Sequence, residues 1–290
     1  MATTAGTRVA VVTGASSGIG KGAAATLAKR GWRVIAQGRD AARSAAAEAA
    51  IRAAAPDARI DFLRADLAEL ADVARLARAI AGLTDRVDLL LNNAGGVARE
   101  RRLTAEGNEA TFAGNHLGHF LLTERLLPLL RAAAQTAPAD AVRIVNVSSN
   151  AHAMSGGFDW DDPQLIGNFA AGPAYCNVKL ANVLYTRVLA RRVATDGIIA
   201  QVMDPGVVAS NFSSHGDEAL QRHMASLDKA DPQAVGDDLV WTATDPAAGA
   251  PGGRLFLHRA ETAPAPRGQD DAAAARLWRE SERLVANAPA

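Results

Sequence analysis

The chain has 290 residues, of which 49% are hydrophobic and 21% charged, and its 31 Lys and Arg are balanced by 31 Asp and Glu. This composition supports a sizeable core and excludes wholesale disorder, and the zero net charge argues against a nucleic-acid binder that works by bulk charge. The single cysteine, Cys176, excludes an intrachain disulfide framework and a cysteine-based zinc site.

Targeting and metal signals are also missing from the sequence. No run of about 18 uncharged apolar residues occurs, so we expect no membrane span. The chain starts with MATTAGTRVAVVTG, which lacks the basic and then apolar pattern of a secretory signal, so we expect a cytoplasmic protein. The six histidines show no metal-ligand spacing with nearby acids, so we expect no metal site.

Short apolar runs alternate along the chain with longer, alanine-rich segments. The runs suit strands buried on both faces and cover residues 8–13, 33–36, 60–64, 87–91, 142–147, 198–203 and 254–257. The segments that suit helices cover residues 18–30, 42–54, 69–81, 115–131, 174–195 and 271–286. The alternation predicts one doubly wound α/β domain over residues 1–290, with a central parallel sheet of about seven strands flanked by helices.

Four stretches depart from this alternation. Residues 1–7 precede the first strand, and we expect them to be flexible. Residues 150–173 and 207–231 are long and irregular, and we expect them to form substrate-side loops, because open α/β sheets bind ligands at the carboxyl ends of their strands. Residues 260–290 form a C-terminal extension, which begins rich in Pro, Ala and Gly and ends in a helix.

A glycine-rich loop follows the first predicted strand. Its Gly-xxx-Gly-x-Gly spacing places Gly14, Gly18 and Gly20 between a strand and a helix. Glycines permit a tight turn and let the backbone approach a pyrophosphate, while the helix N-terminus offers free N–H groups. The motif therefore predicts a dinucleotide-binding, or Rossmann, fold. Ser16 and Ser17 either cap this helix or bind phosphate oxygens.

The end of the second predicted strand bears on the choice between NAD and NADP. Gly38 stands where an NAD site places an acid for the ribose 2′-hydroxyl, and Arg39 follows, a residue type suited to a 2′-phosphate. We therefore expect NADP(H) to be preferred, with NAD(H) possible. The alternative is a solvated Arg39 paired with Asp40.

Further motifs follow in a characteristic order. They are Asp66-Leu67, Asn92-Asn93-Ala94-Gly95, Asn115, Ser148-Ser149, Tyr175-xxx-Lys179, Pro205-Gly206-Val207 and Ser210. Together with the glycine loop, they resemble the short-chain dehydrogenase/reductase (SDR) family over essentially the whole chain. Within that family the chain resembles the retinol-dehydrogenase and WW-domain-oxidoreductase branch, through residues 115–120, 174–176, 179–184 and 276–282.

The resemblance implies two sets of site residues. The implied catalytic residues are Asn115, Ser149, Tyr175 and Lys179. The implied cofactor-binding residues are Gly14, Ser16, Ser17, Gly18, Ile19, Gly20, Arg39, Asp66, Leu67, Asn93, Ala94, Gly95, Tyr175, Lys179, Pro205, Gly206 and Val208.

These residue types suit the reduction of a ketone, which needs a hydride from the cofactor and a proton for the oxygen. The resemblance implies Tyr175 as the proton donor, or as the base in the reverse direction. A free tyrosine has a pKa of about 10, and Lys179, one helical turn later on the same face, favours the tyrosinate. Ser149 holds the carbonyl oxygen, and Asn115 positions a water that passes protons to Lys179.

Some features depart from the family pattern. Val178 stands where a serine usually precedes the lysine, and Asp204 precedes Pro205 where the branch often has histidine. Tyr175 lies 26 positions after Ser149, a longer gap than in compact members, which implies an enlarged loop over the substrate.

The substrate-side loops suggest what the site accepts. They carry Met154, Phe158, Trp160, Phe169, Phe212 and Met224, which predict a small-molecule substrate, a lipophilic or polycyclic ketone or the matching secondary alcohol. Alternatively, these side chains close the core. The apolar surplus of residues 115–131 is either core or an oligomer face, and the resemblance implies a homodimer or homotetramer. A role in specialised metabolism is compatible with the sequence.

Three functions stay open at this point. The first is an NADP(H)-dependent ketoreductase or secondary alcohol dehydrogenase. The second is an epimerase or another cofactor-assisted step without net redox, whose signature is product formed without net NADPH consumption. The third is a non-catalytic NADP(H)-sensing protein, and the joint presence of Asn115, Ser149, Tyr175 and Lys179 argues against it.

Overall fold

The computed structural model describes residues 7–209 and 226–289, and within them eight strands form one sheet in the order β3-β2-β1-β4-β5-β6-β7-β8. The strands are β1 (Val9–Val12), β2 (Arg33–Gly38), β3 (Ile60–Arg64), β4 (Leu89–Asn92), β5 (Val142–Val147), β6 (Ile198–Asp204), β7 (Leu255–Leu257) and β8 (Ala260–Thr262). The helices are α1 (Gly18–Lys29), α2 (Ala41–Ala54), α3 (Leu70–Leu83), α4 (Ala110–Phe112), α5 (Gly118–Ala134), α6 (Ala171–Val193), α7 (Pro232–Thr244) and α8 (Asp271–Val285).

The strands β1, β4, β5 and β6 are buried on both faces, and their successive side chains, which point in opposite directions, enter two different apolar clusters. In β1, Val9 and Val11 pack into a cluster with α3, α5, α6 and α8, whereas Ala10 and Val12 pack into a second cluster with α1 and α7. Both clusters are apolar, which explains why the central strands are continuous apolar runs rather than alternating ones.

The strand order reverses between β1 and β4, which are parallel neighbours. The chain leaves β1 for α1 on one face of the sheet and leaves β4 for α5 on the other face. A crevice therefore opens at the carboxyl ends of these two strands, where open α/β sheets bind ligands.

The predicted doubly wound α/β fold is confirmed, with two differences among its elements. The first is β8, which pairs antiparallel with β7 in a stretch expected to be irregular. β8 has only three residues, of which Ala260 and Glu261 are exposed, so no apolar run in the sequence indicates this strand. His258 and Arg259, both at positive φ, form the turn between these strands. α7 was not predicted from the sequence either; Asp231 caps it by accepting a hydrogen bond from the main-chain N–H of Ala234.

The expected loop at residues 150–173 is partly ordered as helix. It opens with a 3₁₀ helix, Asn150–Met154, and its last residues already belong to α6. Only the two ends of the other expected loop, 207–209 and 226–231, lie within the described residues.

The last helix covers the two long helices of one face. The Trp278 ring lies 5.0 Å from the Phe120 ring of α5 and stacks on Tyr185 of α6 at 5.6 Å between centroids. At the other end, Arg187 and Arg191 of α6 hold Asp271 in ion pairs. The apolar surplus of α5 is thus buried within the chain, as the core interpretation expected.

Two features are absent from residues 7–209 and 226–289. No helix there combines the length and the apolar character needed to cross a membrane. No three His, Cys, Asp or Glu side chains there are close enough together to hold a metal ion.

Two buried histidines predict that the protein loses stability in mild acid. Burial lowers the pKa of His116 to about 3 and of His119 to about 4, against an ordinary value of 6.5. Below pH 6.5 these two imidazoles therefore bind protons in the unfolded chain, whereas in the folded chain they stay neutral. The contribution of these histidines to the free energy of unfolding is fully present above pH 6.5. It is lost as the pH drops from 6.5 towards 4, by about 1 kcal/mol per histidine per pH unit.

Urea unfolding at pH 7.5 and pH 5.5 measures this effect. We expect a drop of about 2–3 kcal/mol in the free energy of unfolding. The variant His258→Gln, which changes an exposed histidine, is the surface control. Equal stability of the wild type at the two pH values would contradict the prediction.

Candidate active site

The glycine loop between β1 and α1 is closed too tightly for side chains. Gly14 and Gly18 have φ of +68° and +55°, and a Cβ on Gly20 would lie 2.4 Å from the Gly14 carbonyl oxygen. Ser17 is the N-cap residue of α1, but its side chain makes no capping hydrogen bond. Of the two roles expected for Ser17, capping of the helix is therefore not seen, which leaves the binding of phosphate oxygens.

The loop after β4 is fastened to the start of the glycine loop. Thr13 Oγ1 accepts hydrogen bonds from the main-chain N–H groups of Asn93 (2.9 Å) and Ala94 (3.0 Å), and Asn93 Nδ2 donates to the Thr13 carbonyl. Gly95 lies next to the Asn115 side chain, since a Cβ there would be 2.5 Å from Asn115 Oδ1. These contacts line the crevice between β1 and β4 with backbone.

The end of β2 leaves no room for an acid at position 38. A Cβ on Gly38 would lie 2.4 Å from Ser44 Oγ and 3.0 Å from Ser16 Cβ. Arg39 is exposed, and its Nη1 lies 3.7 Å from Asp66 Oδ2. The expected alternative partner, Asp40, instead caps α2 by accepting from the Arg43 N–H.

The remaining implied cofactor residues line the carboxyl edge of the sheet. Asp66 follows β3 and accepts from the Ala68 N–H, and Leu67 is buried. Gly206 follows β6 at φ +65°, and its N–H donates to Asp204 Oδ1 at 2.9 Å. Val208 is buried and pairs with Ala230.

Ser149, Tyr175 and Lys179 come together where β5 meets α6. The Ser148 hydroxyl donates to the Lys179 carbonyl at 2.8 Å, which fixes α6 against the end of β5. Lys179 Nζ donates to the Val147 carbonyl at 3.3 Å and lies 5.4 Å from the centre of the Tyr175 ring. Ser149 lies beside the Tyr175 phenol and lowers its pKa, and its own hydroxyl donates to Asn150 Oδ1 at 3.2 Å and accepts from the Ala151 N–H.

The protonation of the two titratable groups follows from their burial. Burial lowers the pKa of Lys179 to about 8, and the nearby Asp204 opposes this shift. Burial raises the pKa of Tyr175 well above its ordinary value, and the neighbouring Ser149 opposes that shift. At neutral pH the site without ligand therefore holds a protonated phenol beside an ammonium group that is mostly protonated.

Asn115 lies in a π-helical turn, Ala113–Leu117, between α4 and α5. Its Nδ2 donates to the Gly96 and Thr111 carbonyls, and its Oδ1 accepts from the Gly96 N–H. Both amide donors are therefore used by the main chain. The water expected at this residue would have to bind the main-chain carbonyl, which already accepts from His119 Nδ1 at 3.1 Å.

Two histidines lie near the site. From the sequence, His152 was a candidate to line the pocket because it follows the serine pair, whereas His119 was assigned only a core or surface position. His152 Nδ1 lies 2.7 Å from the Ser149 carbonyl, and its Nε2 accepts from the Ala265 N–H. Each of His119 and His152 follows an implied catalytic residue by three or four positions, which was the available signal.

The apolar residues of the expected loops divide into groups. The rings of Phe158 and Trp160 lie 5.1 Å apart, tilted by 32°, and pack against the core, as the core-closing alternative expected, whereas Met154 is 70% exposed. Two of the apolar residues, Phe212 and Met224, lie outside the described residues, as does Ser210.

The chain resembles known proteins along its whole length. A family model described as short chain dehydrogenase matches residues 8–220. Retinol dehydrogenase 13 of Homo sapiens is 36% identical over 287 residues, which cover 96% of this chain and 84% of that protein. Polyprenol dehydrogenase of Mus musculus is 37% identical over 285 residues, with the same two coverages.

Solved structures show the same architecture. An uncharacterized protein from Mycobacterium Paratuberculosis superposes with a TM-score of 0.72 at 31% identity, covering 98% of this chain and 95% of its own. The Pseudomonas aeruginosa RhlG/NADP active-site complex superposes with a TM-score of 0.70 at 28% identity, covering 88% of this chain and 96% of its own.

The closed glycine loop predicts the effect of one added methyl group. In Gly20→Ala the new Cβ meets the Gly14 backbone and Asn93 Nδ2, so we expect a loss of about 1–3 kcal/mol in stability. In the matched control Gly82→Ala, on α3, the Cβ meets nothing within 4 Å, and a helical glycine is replaced by a better helix former. Thermal unfolding separates the two, and an unchanged melting temperature for Gly20→Ala would contradict the packing described.

Proposed function

The chain belongs to the short-chain dehydrogenase family, and from that premise we propose that it is an NADP(H)-dependent ketoreductase or secondary alcohol dehydrogenase. The observation that carries the proposal is that Nζ of the buried Lys179 lies 5.4 Å from the centre of the Tyr175 ring, with Ser149 beside the phenol. These groups stand at the carboxyl edge of the sheet, the same edge to which the glycine loop and the β4 loop belong.

The crevice fits a nicotinamide dinucleotide. Gly14, Gly18 and Gly20 bring bare backbone to the N-terminus of α1, whose free N–H groups suit a pyrophosphate. Asn93, Ala94 and Gly95 continue this backbone surface towards Lys179. A nicotinamide cofactor bound here supplies the hydride that the proposed reaction needs.

The protein supplies the proton. Tyr175 is protonated at neutral pH, so its phenol donates to the oxygen of a carbonyl substrate as that oxygen gains negative charge. The Lys179 ammonium then stabilises the phenolate that is left. In the proposed reaction the Ser149 hydroxyl turns from Asn150 Oδ1, to which it donates without ligand, and donates a hydrogen bond to the same substrate oxygen. In the reverse direction, Tyr175 must first lose its proton, so alcohol oxidation calls for a higher pH than reduction.

The choice of NADP(H) rests on the end of β2. Any acid at position 38 would collide with Ser44 and Ser16, so the site has no carboxylate there for a ribose 2′-hydroxyl. The exposed Arg39 side chain pairs with Asp66 only at 3.7 Å, a weak restraint that leaves its guanidinium available for a 2′-phosphate.

The proposed substrate is a lipophilic or polycyclic ketone or the matching secondary alcohol. The exposed Met154, the last residue of the 3₁₀ helix that follows Ser149, supports this choice. The names of the relatives, retinol dehydrogenase and polyprenol dehydrogenase, also denote lipophilic alcohols.

Assembly and location stay predictions. The expected homodimer or homotetramer is still to be tested, and Trp278 of α8 already contacts Phe120 of α5 and Tyr185 of α6 within one chain. The cytoplasmic location is likewise a prediction.

Removal of the Tyr175 hydroxyl tests the proton donor. We expect Tyr175→Phe to lose at least about a thousandfold in turnover of a ketone, because general acid catalysis contributes on that scale. Cofactor affinity, measured by the fluorescence of bound NADPH, stays within a factor of about two. Substantial residual turnover would show that another group delivers the proton.

Replacement of Arg39 tests the cofactor preference. In Arg39→Ala we expect the dissociation constant for NADPH to rise about 10–100-fold, the usual effect of losing a charge-assisted hydrogen bond, and that for NADH to stay the same. Titration calorimetry with each cofactor measures both. Equal effects on the two cofactors would contradict a contact with the 2′-phosphate.

A further inference from the structure

His119 joins two parts of the crevice that are distant in sequence. It lies in the first turn of α5, four residues after Asn115, and is almost fully buried. Its Nδ1 is 3.1 Å from the Asn115 carbonyl oxygen, and its Nε2 is 3.0 Å from Thr13 Oγ1. The imidazole therefore bridges the start of the glycine loop and the turn that carries Asn115.

The partners of the ring determine which nitrogen holds the proton. A carbonyl oxygen only accepts, so Nδ1 must carry the hydrogen and donate to Asn115. Nε2 is then an acceptor, and the Thr13 hydroxyl is the donor in reach. Burial keeps the pKa of His119 at about 4, so the ring has one proton throughout the neutral range.

Thr13 fits this assignment. Its oxygen already accepts the N–H groups of Asn93 and Ala94, which use both of its lone pairs. Its single hydroxyl proton is therefore free to point at His119 Nε2, which is closer (3.0 Å) than the Leu91 carbonyl (3.2 Å). The hydrogen bonds run in one direction, from the β4 loop through Thr13 and His119 to Asn115.

The circuit closes on itself. The Asn115 amide holds Gly96 at both its N–H and its carbonyl, two residues after Ala94. The β4 loop is thus fixed by Thr13 at one end and by Asn115 at the other, and His119 joins these two anchors. A displacement of the glycine loop must therefore strain the bond between His119 and Asn115.

We propose that His119 is a positioning residue that couples the phosphate-binding loop to the Asn115 turn of the active site. Its hydrogen bond with Thr13 fixes the position of the phosphate-binding loop for the cofactor. Its hydrogen bond with Asn115 fixes the position of the Asn115 turn for proton transfer. This inference rests on the proposed function for its catalytic consequence, although the hydrogen-bond circuit itself does not.

Two amide variants separate the two bonds. In His119→Asn the amide nitrogen stands near the place of Nδ1, so the Asn115 bond is kept and the Thr13 bond is lost. In His119→Gln the amide oxygen stands near the place of Nε2, so the Thr13 bond is kept and the Asn115 bond is lost. The matched control is His116→Asn, a buried histidine whose Nε2 contacts Ser281 of α8 instead.

The readouts are the dissociation constant of NADPH without substrate, kcat at saturating cofactor, and the melting temperature. We expect about tenfold weaker NADPH binding with nearly unchanged kcat in His119→Asn. We expect about tenfold lower kcat with nearly unchanged NADPH binding in His119→Gln. His116→Asn lowers the melting temperature only. Indistinguishable effects of the two His119 variants on binding and kcat would overturn the proposal.

A measurement on the wild type separates this inference from the proposed function. Nitrogen-15 NMR of labelled histidine reports which ring nitrogen of His119 is protonated, whether or not the enzyme turns over a ketone. We expect the Nδ1–H form at pH 7. The Nε2–H form would overturn the circuit even for an active enzyme. An inactive protein with the Nδ1–H form and the expected split in NADPH binding would instead reject the proposed reaction and keep the coupling.

Discussion

The close approach of bare backbone at the carboxyl ends of β1 and β4 is the constraint on which the rest of the site depends. Two parallel strands lie side by side there, and their chains leave to opposite faces of the sheet. Thr13, Asn93 and glycines line the floor of the crevice between these strands, and they pack so closely that a Cβ on Gly20 would collide with its neighbours. A crevice built this way presents N–H groups and leaves room for a flat, anionic cofactor.

Burial then sets the chemistry next to this crevice. The end of β5 and the first turns of α6 are covered closely enough that Lys179 is only 4% exposed. Low polarity pushes both the phenol of Tyr175 and the ammonium of Lys179 towards their neutral forms. Asp204, in the place where the branch often has histidine, offsets this effect for Lys179 and adds to it for Tyr175. Both influences of Asp204 favour a site that donates a proton.

The sequence predicted the elements whose signal is local. Apolar runs marked the strands β1 to β7, including β3, whose side chains are only partly buried, and the glycine spacing marked the loop between β1 and α1. β8 was not predicted from the sequence, because a three-residue edge strand with exposed side chains has no apolar pattern. Arg39 could be placed at the end of β2, but its partner Asp66 comes from another strand end and depends on the assembled sheet.

The hydrogen bonds of the candidate site could not be predicted from the sequence either, because their partners meet only in the folded chain. The residues Ser149, Tyr175 and Lys179 could be named from their motifs, whereas the links through His119 and His152 join segments more than 100 positions apart. The commitment of the Asn115 amide to Gly96 and Thr111 likewise depends on the π-helical turn, which no propensity indicates. Local patterns identify the groups, and packing decides what each group binds.

Turnover resolved by cofactor tests the central claim most directly. The protein would be incubated with NADPH, and separately with NADH, and with aromatic, polycyclic and aliphatic ketones, following cofactor absorbance and product mass together. The account predicts that NADPH is oxidised faster than NADH, in equal amount to a product two hydrogens heavier than the ketone. Product formed without net NADPH consumption, or tight NADPH binding with no turnover across the whole panel, would contradict it.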